Sequence, residues 1–326
     1  MHRYIIKRLL LMIPVMIGVS FLVFFILDLA PGDVVDIIAP DDATIEDKER
    51  MREDMGLNRN VIIRYADYMG DLVRGDLGTS YITGRDVFKT FMEKVPNTLF
   101  LGLLSILLAV VLSLPLGIFA AKRRGTPADN ISMVLALIGL SMPSFWLGLL
   151  LIIAFALKLG WFPSGGTEGW KSVILPMITM GTGQMAILTR TTRSSMLEVL
   201  GQDYLRTARA KGVTERKVIN VHALRNALIP IVTIIGTQIS VVLGGAALTE
   251  TVFAWPGIGR LIIDSLTSRD TMQVTGSIIM TTLSISFIML LVDLLYGVID
   301  PRIKAQYSTK KGDEKSGKPK SSSGDE

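Results

Sequence analysis

The amino-acid sequence predicts an all-α membrane protein with six transmembrane helices and an external helical insert after the first of them. Several apolar runs reach the ~20 residues that a helix needs to cross the hydrocarbon core of a bilayer. Hydrophobic residues make up 49% of the 326 residues, and the basic residues are concentrated in short segments beside the apolar runs. That arrangement is typical of a membrane protein whose orientation follows the positive-inside rule.

The composition excludes several kinds of chemistry. The chain has no cysteine, which excludes disulfides, thiolate metal sites and cysteine nucleophiles. Its two histidines, His2 and His222, are too few for a multi-histidine metal site. The net charge of +5 is compatible with nucleic-acid binding, but the location of the basic residues beside apolar runs favours membrane orientation. We therefore expect no nucleic-acid partner, and we expect contact with membrane lipid.

The first span is predicted at 9–30, after a basic segment at 1–8. A cleaved signal peptide is the alternative, because a basic start before an apolar core describes both. The apolar core from Leu9 to Leu27 is long for a signal peptide, and further spans follow it. We therefore expect this segment to remain as a transmembrane helix.

Residues 31–96 form the only long hydrophilic segment before the carboxyl terminus. The segment has 14 acidic and 9 basic residues. Val61, Ile62, Tyr65 and Tyr68 recur at roughly helical spacing, which predicts short helices. Because a segment of this size has difficulty sustaining a core of its own, we expect it to lean on the outer ends of the spans. A role in docking a partner or covering a gate is the favoured interpretation.

Five further apolar runs predict the remaining spans. Pro143 lies inside the third span and is expected to bend it. The polar tail is predicted to be disordered. The predicted segments are the terminus at 1–8, the spans at 9–30, 97–121, 131–157, 173–189, 228–249 and 273–299, the insert at 31–96, the cytoplasmic loop at 190–227, the outer loop at 250–272 and the tail at 300–326.

The distribution of basic residues predicts the orientation. With the amino terminus inside, the inner segments hold 21 Lys and Arg residues, whereas the short outer loops hold 4. The insert is not counted, because long segments cross the membrane largely regardless of charge. The prediction is a multi-pass protein of the cell membrane with both termini in the cytoplasm and the insert outside.

The loop Arg190–Ala227 is a basic cytoplasmic segment between two spans. Asp203 can cap a helix over Tyr204–Lys211, which Gly212 would end, and Thr214 can cap a second helix. Tyr204, Leu205 and Ala208 are predicted to be exposed near the tip, with Arg206, Arg209 and Lys211 beside them. Two interpretations stay open on these residues alone: a handle for a cytosolic protein, or an amphipathic loop resting on anionic headgroups.

The outer loop at 250–272 and the polar residues of the spans provide two further candidate sites. Ile258, Leu261, Ile262 and Leu266 share one face of a predicted amphipathic helix, which either packs at the outer interface or contributes to an outer gate. The gate hypothesis assigns this role to Phe253, Trp255 and Pro256. Polar residues in spans usually face a bundle interior or a wet cavity, although Ser and Thr also bond to helix backbones. The candidate pathway lining is Thr182, Gln184, Gln238 and Ser284.

Short motifs occur along most of the chain. They are PGD at Pro31, GDLGTS at Gly75, PNTL at Pro96, FWLGLLL at Phe145, RSSMLEVL at Arg193, RTARAKG at Arg206, HALRNALIP at His222, WPGIG at Trp255 and DLLYGVIDPRIK at Asp293. In combination they resemble the dipeptide, oligopeptide and nickel subfamily of importer-type ABC transporter permeases, over roughly residues 5–305. The resemblance implies the type I ABC importer permease fold and a transport subunit that is not an enzyme.

The resemblance also implies a set of partners. These are a second, homologous permease subunit that completes the pore as a heterodimer, two cytosolic ATPase subunits and an extracytoplasmic solute-binding protein. The loop at 190–227 resembles a coupling loop, so the implied ATPase-coupling residues are Asp203, Tyr204, Leu205, Arg206, Ala208, Arg209, Lys211 and Gly212. The chain has no GxxxxGK[ST] phosphate-binding loop. No catalytic, cofactor or metal site is therefore expected on it, and ATP and Mg²⁺ are expected on the ATPases.

The coupling loop departs from the broader permease pattern of Glu-Ala-Ala, three residues and Gly. With Gly212 as the glycine of that pattern, its Glu-Ala-Ala positions are occupied by Arg206, Thr207 and Ala208. The glutamate is therefore absent, and a contact from its carboxylate to an ATPase is not carried over. Asp203 or Glu198 is the candidate substitute.

Three alternatives concern the driving force, the role and the cargo. An ion-driven carrier usually needs ionisable groups deep in the membrane, whereas Asp28, Lys158 and Asp293 all lie near predicted span ends. A receptor or scaffold that binds a ligand through the insert is a second alternative. Peptides are the favoured cargo of an importer, with nickel chelates and oligosaccharides left open.

Overall fold

The computed structural model describes residues 2–299, which form helices joined by loops. Met1 and the predicted tail at 300–326 lie outside the described residues. The helices are α1 (His2–Leu29), α2 (Val35–Ile38), α3 (Ile45–Asp54), α4 (Val61–Val73), α5 (Val87–Lys122), α6 (Pro127–Ser141), α7 (Ser144–Leu151), α8 (Ile174–Leu200), α9 (Asp203–Ala210), α10 (Glu215–Lys217), α11 (Leu224–Gly245), α12 (Ala247–Val252), α13 (Ile258–Thr267) and α14 (Thr271–Ile299).

Within the described residues, five helical segments are long and apolar enough to cross a membrane, and a bent pair of helices makes a sixth if the pair is one span. The five are α1, α5, α8, the run from α10 through α11, and α14. The bent pair consists of α6 and α7, and a π-helix at Ile152–Lys158 continues α7. The described residues are all-helical with five or six candidate spans, which confirms the predicted fold class.

Three of the spans are longer as helices than the hydropathy pattern predicted. The second was predicted at 97–121, but α5 is one helix of 36 residues with Pro96 and Pro115 inside it. The fourth was predicted to end at 189 and continues to Leu200. The fifth was predicted to begin at 228, yet helical structure runs on from Glu215. Hydropathy follows only the apolar part of a helix, whereas the backbone stays helical until turn or cap chemistry ends it.

The third span, predicted at 131–157, is broken rather than gently bent. Its two halves meet at 99°. Met142, the residue before Pro143, has φ −80° and ψ 120°, which is an extended conformation. Proline disfavours the α conformation in the residue before it and has no N–H to donate. Met142 and Pro143 therefore account for the position of the break.

Helices α5 and α8 form the central pair of the bundle and pack along each other. They approach closely where a Cβ on Gly117 would lie 2.5 Å from Cβ of Thr192. Helix α11 packs on α8 and α14, whereas α1 packs on α14 and α4 at the periphery. Residues far apart in sequence are thus brought to each end of one bundle.

The insert rests on the ends of α1 and α14 that are predicted to lie outside. Tyr65 of α4 hydrogen-bonds Ser20 of α1 at 2.9 Å, and Arg64 pairs with Asp28 at 2.7 Å. Ser80 of the GDLGTS motif donates to Asp270, just before α14, and Asp270 also accepts from the backbone N–H of Tyr81 at 3.2 Å. These contacts hold α4 against α1 and the GDLGTS segment against the start of α14.

Candidate functional site

The predicted coupling helix is present as α9. It begins at Asp203, because the preceding Gln202 is extended with ψ 144° and occupies the N-cap position. The prediction that Asp203 caps the helix is therefore wrong. Asp203 lies in the first turn of α9, where its negative charge interacts favourably with the positive end of the helix dipole. Gly212 follows the helix with φ +79°, a conformation that glycine adopts without a steric penalty.

Leu205 fastens α9 to the bundle. Its side chain is 0% exposed and packs in a cluster with Ala121, Met196, Val218, Ile219, Ala223 and Ala227. The prediction that Leu205 is exposed at the tip is wrong, because α9 turns this face toward the ends of α5, α8 and the fifth span. Ala208 is half-buried against the same cluster, whereas Tyr204 is 42% exposed.

Polar contacts hold α9 to the fifth span at both of its ends. Tyr204 Oη accepts a hydrogen bond from Asn226 Nδ2 at 2.6 Å and lies 3.4 Å from the His222 carbonyl oxygen, to which it can donate. Arg209 donates two hydrogen bonds to the Glu215 carboxylate, each at 3.0 Å. With the Leu205 cluster between them, these contacts make α9 a rigid attachment of the span.

The opposite face of α9 is exposed and mainly basic. Arg206 lies 3.8 Å from Asp203 in an exposed ion pair, which is a weak interaction in water. Thr207, Ala210 and Lys211 are also exposed on this side, and Arg216 and Lys217 are exposed on the neighbouring α10. We call this set, with Asp203 and Arg206, the α9 surface.

The second helix of the predicted knob is the beginning of the fifth span. Thr214 occupies the N-cap position of α10, but its side chain makes no capping hydrogen bond. After α10, a π-helical segment at Val218–Ala223 leads into α11. No glycine or proline stands between Lys217 and Leu224 to end the helix. The turn around Gly212 therefore joins α9 to helical structure that continues into a membrane-spanning helix.

A second attachment, at the same end of the bundle as α9, was not predicted. Arg193 of α8 donates to both carboxylate oxygens of Asp129 in α6, at 2.6 and 2.7 Å. Asp129 is 1% exposed and also accepts from the backbone N–H of Gly125 at 3.0 Å. The available signal was a lone acidic residue in the otherwise basic segment at 122–130. This bidentate pair joins the third span to α8.

At the opposite end of the bundle, the loop at 250–272 surrounds a buried carboxyl group. Glu250 of α12 is 0% exposed, accepts from Thr98 Oγ1 at 2.6 Å and accepts from the backbone N–H of Arg260 at 3.0 Å. Thr98 in turn accepts from the backbone N–H of Ile258 at 2.8 Å. Burial raises the pKa of the Glu250 carboxyl. Sequence reasoning missed Glu250, because only the fold brings it to Thr98.

Glycine allows the outer loop to close over that carboxyl group. A Cβ on Gly257 would lie 2.1 Å from Glu250 Oε1. Beside it, Trp255 Nε1 donates to the Asn97 carbonyl at 3.0 Å, and Asn97 Nδ2 donates to the Pro256 carbonyl at 3.0 Å. The PNTL and WPGIG motifs are therefore the two halves of one hydrogen-bonded structure, which we call the outer knot.

The candidate gate residues lie at the outer knot. Phe253 is 0% exposed and packs near Gly148 of α7, and Trp255 is 4% exposed. Pro256 is half-buried. Both aromatic side chains thus pack inside this chain, which is the arrangement expected of an interfacial packing element. Their assignment to a gate stays a prediction.

The candidate pathway residues are spread over three spans. Thr182 of α8 donates to the Ile178 carbonyl of its own helix at 2.7 Å. Gln184 and Gln238 are buried, and Ser284 of α14 is half-buried. Gln184 Oε1 has no partner among the described residues. Their role in lining a pathway stays a prediction.

Fold and sites together define a class: a multi-pass membrane subunit with a rigid helical projection at one end and a hydrogen-bonded knot at the other. Two family models match the chain, "Binding-protein-dependent transport system inner membrane component" at residues 113–305 and the corresponding N-terminal model at residues 1–102. The chain belongs to this family. It is a permease component of a binding-protein-dependent ABC importer, a membrane protein whose family implies ATPase and solute-binding partners.

Similar proteins agree with the family assignment. The chain is 40% identical to the oligopeptide transport system permease protein AppB of Bacillus subtilis over 315 residues, covering 93% of this chain and all of AppB. It is 41% identical to the glutathione transport system permease protein GsiC of Escherichia coli K12 over 304 residues, covering 93% and 99%. A chain of the inward-facing MetNI methionine ABC transporter matches with a TM-score of 0.56 at 18% identity, covering 65% of this chain and 97% of that one.

Proposed function

We propose that this chain forms half of the translocation pore of an ATP-driven peptide importer, with a second, homologous permease subunit as the other half. Two cytosolic ATPases hold ATP and Mg²⁺ and supply the work, while a solute-binding protein delivers the cargo from outside. Peptide cargo is supported by the names of the relatives, one an oligopeptide and the other a glutathione permease. Both termini lie in the cytoplasm, in keeping with the distribution of basic residues.

The observation that carries the coupling role is the rigid attachment of α9 beneath its exposed basic surface. Closure of the ATPase dimer would push on the α9 surface, and the Leu205 cluster would pass the displacement to α8 and the fifth span. The spans would then tilt between inward-facing and outward-facing arrangements, a population shift driven by partner contacts. The cytosolic docking of Asp203, Arg206, Lys211 and Gly212 follows from this mechanism.

Substitution of Gly212 tests the coupling role. Gly212→Val forces a β-branched residue into φ +79° and should displace the end of α9. We expect the stimulation of ATPase activity by loaded binding protein to fall at least tenfold in the reconstituted complex. Gly201→Val is the matched control, because Gly201 has φ −81° and a Cβ there meets only ordinary contacts. Full stimulation in Gly212→Val would contradict the coupling role.

The driving force and the cargo need separate measurements. Uptake should stop on ATP depletion and persist when the proton gradient is collapsed; the reverse result would favour an ion-driven carrier. Mass spectrometry of the ligand that co-purifies with the binding protein should identify peptides. A nickel chelate or an oligosaccharide there would leave the importer mechanism intact and change only the cargo.

A further inference from the structure

The break in the third span lies at membrane depth. Helix α6 follows the basic segment at 122–125 and has 15 residues, which span ~22 Å at 1.5 Å per residue. The hydrocarbon core of a bilayer is ~30 Å thick. The apolar sequence continues on both sides of the break, over 131–157, and the two helices qualify together as one broken span, so Met142 and Pro143 lie in the middle of the segment that enters the hydrocarbon region.

The break leaves backbone polar groups without helical partners. The Gly139 carbonyl would need an N–H at position 143, where proline has none. At the start of α7, the first inter-turn bond is from the Leu147 N–H to the Pro143 carbonyl at 3.0 Å, and no side chain caps the helix. Within the described residues, the N–H groups of Ser144, Phe145 and Trp146 therefore have no backbone acceptor or capping side chain.

Several side chains around the break are exposed, because no other part of the chain that the structure describes covers them. They surround a cleft of about 600 Å³ in the angle between α6 and α7. Phe145 is 44% and Trp146 46% exposed. The lining residues are Leu137, Ile138, Ser141, Met142, Pro143, Phe145 and Trp146. We call this cleft the α6–α7 crook.

Lipid is a poor occupant of such a cleft. Irregular backbone at membrane depth is tolerated where protein buries it or where it lines a water-filled cavity, because hydrocarbon offers no hydrogen-bond partner. Six of the seven lining side chains are apolar, which favours burial by protein over a water-filled cavity. An occupant that brings polar groups to the open backbone and apolar surface to Phe145 and Trp146 would satisfy both needs.

We propose that the α6–α7 crook is the seat of the second permease subunit, which covers the broken backbone of the third span in the assembled importer. This inference rests on the proposed function, since it needs the two-subunit pore. It adds the place of contact. Beyond the crook in α7, a Cβ on Gly148 would lie 3.1 Å from the ring of Phe253, near the outer knot. Helix α7 therefore joins the subunit contact to the outer loop.

Photo-crosslinking in the intact complex tests the contact. A p-benzoyl-phenylalanine is introduced at position 146 or, as a matched control, at position 22 on the peripheral helix α1, where Leu22 is 59% exposed. The complex is irradiated in membranes, and crosslinked partners are identified by mass spectrometry. We expect position 146 to crosslink to the second permease subunit at least fivefold more efficiently than position 22.

A chemical-labelling arm distinguishes protein from water. The absence of native cysteine makes Trp146→Cys and Leu22→Cys single-cysteine chains. In the assembled complex, we expect a charged methanethiosulfonate to label position 146 at least fivefold more slowly than in the isolated chain. Rapid labelling that blocks uptake would assign the crook to an aqueous pathway and overturn the proposal.

The outcomes separate this inference from the proposed function. If the subunits co-purify and import peptide but position 146 yields no crosslink to the second permease, the contact is wrong and the importer stands. If no second permease co-purifies with an active complex, the two-subunit pore itself is wrong. Equal crosslinking at positions 146 and 22 would also overturn the contact.

Discussion

The two ends of the bundle are built in different ways. At the α9 end, the Leu205 cluster and the Arg209–Glu215 ion pair hold α9 to the bundle, and basic side chains are exposed on its opposite face. At the opposite end, the outer knot closes around the buried carboxyl group of Glu250. This group accepts hydrogen bonds from the Thr98 hydroxyl and from the Arg260 backbone N–H, which are both uncharged donors. A projection that transmits force needs a firm base and a free surface, whereas a loop held by short-range hydrogen bonds needs close shape complementarity. The two ends should therefore fail differently when they are altered.

The largest effect is expected at the outer knot. Gly257→Val places side-chain atoms where the Glu250 carboxyl lies, so Glu250 must move and its hydrogen bonds with Thr98 and Arg260 are lost. Overpacking costs ~1–3 kcal/mol, and each unsatisfied buried group costs ~1–3 kcal/mol, for a total above about 3 kcal/mol. We expect a lower melting temperature of the purified chain and loss of uptake. Gly183→Val is the control for bulk, because a Cβ on Gly183 meets nothing within 4 Å and its φ, like that of Gly257, is not positive.

Unchanged melting of Gly257→Val would show that the outer loop can open without cost. The knot would then be a local arrangement and not the element that holds the outer end together. The comparison between the two ends would lose its basis.

The next effect is expected at the Leu205 cluster. Leu205→Ala removes a fully buried side chain from the base of α9, which typically costs ~2–5 kcal/mol when the surroundings do not collapse. Because α9 is a peripheral helix that can shift to fill the space, we expect the free energy of unfolding to fall by about 2 kcal/mol, at the low end of this range. ATPase stimulation should be lost while the chain as a whole remains folded. Thr207→Ala, on the exposed face of the same helix, is the control.

The measurement is hydrogen exchange of α9 in the intact complex, together with stimulated ATPase activity. Leu205→Ala should raise exchange in α9 and leave the outer loop unchanged. Loss of protection at both ends would mean that the bundle transmits the defect and that the two ends are not independent.

The residues that sequence reasoning placed correctly are those whose conformation is local. Gly212 ends α9 with a positive φ, as a C-terminal glycine signal predicts, and Pro143 breaks the third span at the predicted place. Leu205 was placed wrongly because its burial depends on Met196 and Ala227, which only the packing of two spans brings to it. Glu250 was missed for the same reason, since Thr98 lies 152 positions away.

A smaller effect is expected from the polar attachment of α9. Tyr204→Phe removes a hydroxyl that accepts from Asn226 at 2.6 Å, which costs ~1 kcal/mol for a hydrogen bond of this kind. The ring is retained, so the Leu205 cluster should stay packed. We expect a partial loss of ATPase stimulation, about twofold, with unchanged assembly. A loss as large as in Leu205→Ala would mean that the hydrogen bond, and not the apolar plug, carries the attachment.

The smallest effect is a change in pH dependence at the outer knot. Burial raises the pKa of Glu250 above its ordinary value of 4.5, so at a given pH the folded chain holds this proton more tightly than the unfolded chain does. The stability that this provides is present below pH ~4.5 and is lost as the pH rises through the folded pKa. Glu250→Gln keeps the shape of the side chain and removes the titration, although its amide group can accept from only one of the two donors.

The melting temperature of the wild-type chain should therefore fall relative to that of Glu250→Gln as the pH rises from 5 to 8. Glu46→Gln, which removes an exposed carboxylate of the insert, should keep the wild-type slope. Parallel curves for wild type and Glu250→Gln would mean that the hydrogen bonds from Thr98 and the Arg260 N–H offset the burial of the carboxylate. In that case the outer knot resembles the cytoplasmic end more closely, with a charge held by its partners at each of them.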